Sequence, residues 1–91
     1  MTEAAKLAGL FKLFASEARV RIILTLKRRG LCVTDITSQL GITQEATSQH
    51  LRALRDAGIV NFQKRGFRVY YSLDKQNMAV VHKTINSLYG T

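Results

Sequence analysis

A chain of 91 residues has room for one domain and little room for a catalytic cleft. Its 46% hydrophobic and 22% charged residues describe a globular chain with a core, not a disordered one. Fourteen Lys and Arg against six Asp and Glu give a net charge of +8, which favours a polyanionic partner: nucleic acid first, an anionic membrane surface second. Cys32 is the single cysteine, so an intrachain disulfide framework and an all-cysteine metal cage are both excluded. No apolar run approaches the ~18 residues of a membrane span. The opening MTEAAKLAGLFKLF lacks the long apolar stretch and cleavage site of a secretory signal. A cytoplasmic location is expected.

In residues 3–14, Leu7, Leu10, Phe11 and Phe14 fall at the i, i+3, i+4, i+7 spacing of one helical face. Ser16 can cap a second helix with Glu17 in its first turn, Lys27, Arg28 and Arg29 in its last, and Gly30 as its stop. Val20, Ile23, Leu24 and Leu26 form its apolar side. Leu31-Cys32-Val33 reads as an abbreviated strand. Thr34 can cap a short helix over 35–40, with Ile36 and Leu40 inward and Gly41 as the stop. Thr43 can cap a longer helix over 44–57, with Thr47, Leu51 and Leu54 inward. From Ile59 the period changes from 3.6 to 2. Val60 and Phe62 alternate with Asn61 and Gln63, and Val69, Tyr71 and Leu73 alternate with Arg68, Tyr70 and Ser72. Lys64-Arg65-Gly66-Phe67 turns the two strands into a hairpin. Asp74 can cap a last helix over 75–89, with Met78, Val81, Ile85, Leu88 and Tyr89 on one side.

The centre of this order is a helix-turn-helix, with Gly41-Ile42-Thr43 as the turn. At 100° per residue, Glu45, Gln49, Arg52 and Asp56 point outward from the second helix, flanked by Gln44 and Ser48. These side chains suit base reading: Gln pairs with adenine edges, Arg with guanine, and Glu accepts from cytosine. Thr43 and Ser48 can bond phosphate or base, and Arg55, towards the flank, suits the DNA backbone. The hairpin follows after Gly58. Between Ala57 and Leu73 it carries no acid, but it does carry Lys64, Arg65 and Arg68, so it reads as a basic wing beside a recognition helix. An ordinary αα-hairpin with a solvated face, and edge-strand protection by the wing cations, are the plainer alternatives. The fold expected is mainly α (α+β), a winged helix-turn-helix filling residues 1–91.

With FASEARVRIILTL, LCVTDITSQLGITQEATSQHLRALRDAGIV and VYYSL in place, residues 7–74 resemble the ArsR/SmtB family of repressors. The resemblance implies a homodimer on palindromic operator DNA. It also implies that the first and last helices, residues 3–14 and 75–89, form the dimer interface through Leu7, Leu10, Phe11, Phe14, Met78, Val81, Ile85, Leu88 and Tyr89. Family metal sites would use a CVC pair or Asp and His residues of the last helix. Here Thr34 stands where the second cysteine would be, Gln76 follows Asp74 where a His is needed, and His82 has no acidic partner. No metal site and no cofactor are therefore expected, and the inducing signal stays open.

Cys32 is read first as a small buried hydrophobe and second as a redox switch favoured by the preceding basic run. His50 is expected to be partly packed at the flank of the recognition helix. Paired carboxylates, a Ser/His/Asp set and a Gly-rich phosphate loop are missing, so an enzyme is not expected. The expected function is sequence-specific repression through helix 44–57 and wing 60–73. The alternatives are a non-specific architectural DNA binder and a winged-helix protein-interaction module.

Overall fold

The computed structural model describes residues 2–90. Helix α1 spans Glu3–Leu13 and α2 Glu17–Leu26. Strand β1 is Leu31–Cys32, followed by α3 (Val33–Leu40) and α4 (Gln44–Asp56). Strands β2 (Val60–Arg65) and β3 (Arg68–Leu73) precede α5 (Lys75–Tyr89). This is the expected winged helix-turn-helix in the expected order.

Local signals set most of the boundaries. The side chains of Thr2, Ser16, Thr43 and Asp74 each accept a hydrogen bond from the backbone N–H three residues on, the geometry of an N-cap. Two helices end one residue earlier than their periodicity suggested: Phe14 caps α1 and Ala57 caps α4. At α3 the cap is Cys32, not Thr34, because β1 runs straight into the helix and leaves no turn between them. Gly41 closes α3 in the left-handed region at φ 69°.

The exit from α4 shows why a glycine is needed there. The Ile59 N–H donates to Leu54 O and the Gly58 N–H to Arg55 O, both at 2.9 Å. Those two bonds make a Schellman motif, which requires a left-handed residue, and Gly58 sits at φ 77°. Leu54 and Ile59 are both buried, so the turn also supplies the apolar contact that accompanies the motif.

Helix α2 departs from its expected face. Ile22 and Leu26 are its buried residues, whereas Val20 and Leu24 are exposed. It also stops at Leu26, so Lys27, Arg28 and Arg29 lie beyond it, and Gly30 is not its cap. Gly30 instead lies against β3, where an added Cβ would stand 3.2 Å from Tyr71 O.

The three strands form one antiparallel sheet in the order β1-β3-β2. Leu31 faces Tyr71 and Cys32 faces Tyr70, while β2 and β3 pair from Val60–Leu73 out to Arg65–Arg68. The core lies where α2, α3, α4 and the base of this sheet meet. It is built from Ile22, Leu26, Leu31, Ile36, Leu40, Leu51, Leu54, Ile59 and Val60. At ~25 cal/mol per Å² of apolar surface, burial of such side chains is the dominant stabilising term.

The terminal helices stand partly outside this core. Helix α5 has no buried residue and α1 has one, Leu7. Between them runs a groove of about 640 Å³, lined by Gly9, Leu10, Leu13, Val80 and Val81 among others. No helix among the described residues is long and apolar enough to cross a membrane.

Candidate nucleic-acid interface

Helix α4 is anchored on one side and open on the other. Thr47, Leu51 and Leu54 are buried, and Gln44, Glu45, Ser48, Gln49, Arg52, Arg55 and Asp56 are exposed, as 100° steps require. The buried hydroxyl of Thr47 is satisfied twice. It donates to Thr43 O at 3.0 Å and accepts from Thr37 Oγ1 at 2.9 Å. Because Thr37 lies on α3, this chain of bonds pins the two helices of the motif to each other.

Two arginines of α2 hold the motif from behind. Arg21 donates to Leu40 O at 3.2 Å and Gln39 O at 3.3 Å. This satisfies the last carbonyls of α3 with a cation at the negative end of its dipole. Arg19 Nε donates to His50 Nδ1 at 3.2 Å, and its guanidinium also reaches Leu13 O. Desolvation, and then the Arg19 charge, hold the His50 pKa below its usual 6.5. His50 is thus half-buried and engaged, as its place on the flank suggested.

The wing stands beside the open face of α4. Strand register places Val60, Phe62 and Lys64 opposite Leu73, Tyr71 and Val69 on one face of the hairpin. Asn61, Gln63 and Arg65 oppose Ser72, Tyr70 and Arg68 on the other. Arg55 lies over the Phe62 ring at 5.0 Å, so a cation–π contact ties the end of α4 to the wing. Phe62 in turn sits 6.1 Å from Tyr71. On the far face, Arg65 lies 5.7 Å from the Tyr70 ring centroid and donates to Gln63 Oε1 at 3.4 Å.

Glu45, Ser48, Gln49, Arg52, Arg55 and Tyr71 line one recess of about 360 Å³. The structure therefore brings together five of the residues singled out from the sequence. Thr43 and Gln44 continue the same exposed surface at the start of α4, and Lys64, Arg65 and Arg68 are exposed towards the wing tip. Tyr71, placed by the sequence only in the alternation of a hairpin strand, also lines this surface. Its alternation with Val69 and Leu73 marks a strand face but not what that face meets.

The remaining candidates lie elsewhere. Cys32 is 5% exposed, and its thiol donates to Asp35 Oδ2 at 3.2 Å. Among the described residues, no three His, Cys, Asp or Glu side chains stand close enough together to hold a metal ion. Of the apolar residues on the terminal helices, Leu7 is covered by its own chain. Leu10, Phe14, Met78, Val81 and Ile85 are half-buried, and Phe11, Leu88 and Tyr89 are exposed. Val80, passed over in the sequence, is exposed beside them.

Comparison with known proteins gives this arrangement its family. Residues 16–61 match the model for bacterial regulatory proteins of the arsR family. The chain is 35% identical over 85 residues to the transcriptional activator HlyU of Vibrio cholerae, an alignment covering 93% of this chain and 79% of that protein. It is 29% identical over 85 residues to a transcriptional repressor SmtB homolog of Synechocystis, where it spans 93% of this chain but only 64% of the relative's length. The solved structure of HlyU from Vibrio cholerae superposes with a TM-score of 0.76 at 34% identity, covering 97% of this chain and 96% of that one. Mb0332 from Mycobacterium bovis, solved as a homodimeric winged helix-turn-helix DNA-binding domain, shares the fold. Its TM-score is 0.75 at 24% identity, covering 93% of this chain and 79% of that one. The match in sequence across the helix-turn-helix and in fold across the wing means that the chain belongs to the arsR family of bacterial regulatory proteins and is a winged helix-turn-helix transcriptional regulator.

Proposed function

We propose that the chain is a cytoplasmic homodimeric repressor, without catalytic activity, that binds an inverted-repeat operator in double-stranded DNA. The observation that carries this reading is the shared recess of α4 and the wing, where Ser48, Gln49, Arg52 and Arg55 stand exposed together. Helix α4 enters the major groove N-terminus first, and its free backbone N–H groups meet a phosphate there. Gln49, Arg52 and Ser48 read base edges, with Glu45 selecting for a cytosine amino group. Arg55 and the wing cations Lys64, Arg65 and Arg68 hold the backbone.

The terminal helices support the dimer. Leu88 and Tyr89 on α5 are 58% and 73% exposed and Phe11 on α1 is 44% exposed, apolar side chains that a second copy would cover. A two-fold dimer sets two α4 helices about 34 Å apart, one turn of DNA. Bound over a promoter, it excludes polymerase. The relatives act in both directions, HlyU as an activator and the SmtB homolog as a repressor. Repression follows most simply from occupancy, because a dimer seated on its operator covers the DNA that polymerase would need.

The test separates base reading from backbone holding. Gln49→Ala is expected to cost about 1–3 kcal/mol on the preferred duplex and little on random DNA. Lys64→Ala and Arg68→Ala are expected to weaken binding to every duplex and to reduce the slope of log K against log salt by about 1 each. Equal losses on all sequences from both classes of variant would refute the assignment.

A further inference from the structure

Among the described residues, Phe67 is the most exposed large apolar side chain. Its relative exposure is 107%, so the residue is fully open to solvent. Some other exposed apolar side chains have partners or lie along the terminal helices, while Val20 and Leu24 are exposed on α2. Phe62 stacks under Arg55 and near Tyr71, and Phe11, Leu88 and Tyr89 continue the apolar surface of the terminal helices. Phe67 has no such company. The turn does not require it either. Gly66 supplies the positive φ of 61° at the first central position, and the second position of such a turn accepts almost any residue. A single exposed apolar side chain is common on protein surfaces, but a bare ring flanked by cations at the tip of a projecting hairpin is placed to meet a partner.

Its surroundings point to a partner. Lys64, Arg65 and Arg68 lie within three residues and are exposed. Strand β1 pairs only with Tyr70 and Tyr71 of β3, so the tip reaches beyond the three-stranded part of the sheet. Three residues at ~3.4 Å each make that reach about 10 Å. Phe67 borders a recess of about 390 Å³ together with Thr34, Asp35, Val69 and Tyr71. Tyr71 also lines the recess beside Gln49 and Arg52. The ring is therefore carried on the side of the wing that adjoins the helix-turn-helix. With α4 in a major groove, a basic hairpin on its flank meets the adjacent minor groove.

We propose that Phe67 is an apolar wedge that enters the minor groove beside each half-site and partly unstacks one base step. This rests on the operator-binding reading above and adds to it a contact that α4 cannot make. Apolar wedges in the minor groove pry steps apart and kink the duplex, and flanking cations hold the phosphates on either side. Pyrimidine–purine steps yield most easily, so the wedge selects such a step with no hydrogen bond to a base.

The test uses a duplex that the intact protein enriches from a random pool, with 2-aminopurine placed at successive positions outward from each half-site. Bound wild-type protein is expected to raise the fluorescence severalfold at one flanking position. Phe67→Ala is expected to abolish that rise and to weaken binding on the order of 10-fold, while the thermal midpoint and dimer affinity stay unchanged. Phe67→Leu, still a wedge, is expected to keep most of the signal. Tight wild-type binding with no fluorescence change at any position would overturn the wedge and leave operator binding standing. A dimer or higher assembly weakened by Phe67→Ala would overturn it in favour of a protein contact. Failure of the wild type to enrich any sequence would remove both proposals together.

Discussion

Thr47 shows how one side chain sets the geometry of the reading head. Its hydroxyl joins Thr43 O to Thr37 Oγ1 in a fully buried position. Thr47→Val keeps the shape but strands the Thr37 hydroxyl against a methyl group. It is expected to destabilise the fold by about 1–3 kcal/mol, read by urea unfolding. An unchanged midpoint would show that the bridge does not hold the two helices. The inward direction of Thr47 is legible from its spacing with Leu51 and Leu54. Its partner on α3 is not, because that contact depends on how two helices cross. His50 was legible as a flanking residue for the same reason, whereas its bond to Arg19, 31 residues away in sequence, was not. That bond makes a second prediction. The folded pKa of His50 is held below the unfolded value of 6.5. The unfolded chain therefore takes up a proton first, and the contribution is full above pH 6.5 and lost as pH falls through the folded pKa. A His50→Gln variant should lose less stability than the wild type on acidification below about pH 6.5. Parallel losses in the two proteins would contradict this.

At the scale of elements, signals confined to a few residues were readable and signals shared between elements were not. Ser16, Thr43 and Asp74 cap the helices they precede, and Gly41 and Gly58 end two of them. Helix α2 was misread because five apolar residues, at positions 20, 22, 23, 24 and 26, crowd its surface and no single stripe stands out. Tertiary packing chose Ile22 and Leu26, one turn apart, and left Val20 and Leu24 outside. The terminal helices carry the same ambiguity in a useful form. Their stripes are split between side chains the chain itself covers, with Leu7 buried and Phe14, Met78 and Val81 packed against the core, and open surface, which keeps Phe11, Leu88 and Tyr89. If that surface pairs with a second copy, Phe11→Asp and Ile85→Asp place an unpaired charge in the interface. A buried unpaired charge costs about 3–5 kcal/mol, so the dimer dissociation constant should rise on the order of 100-fold or more. Sedimentation would measure it. A folded variant that remains dimeric would place the interface elsewhere.

The whole molecule is a basic body measuring 45 × 23 × 23 Å, with a polar recess on α4 beside the wing and an apolar groove between the terminal helices. The net charge of +8 gives general attraction to DNA, which weakens steeply with salt, and in the proposed reading the α4 face adds what distinguishes one sequence from another. The central claim is that these two surfaces act together as a two-fold reader of sequence. Its most direct test is selection from a random duplex pool by the purified protein at two salt concentrations. An enriched inverted repeat is expected, with half-site centres about 10 base pairs apart and retained at the higher salt. Salt-sensitive binding with no enriched sequence, or no binding at either salt, would contradict it.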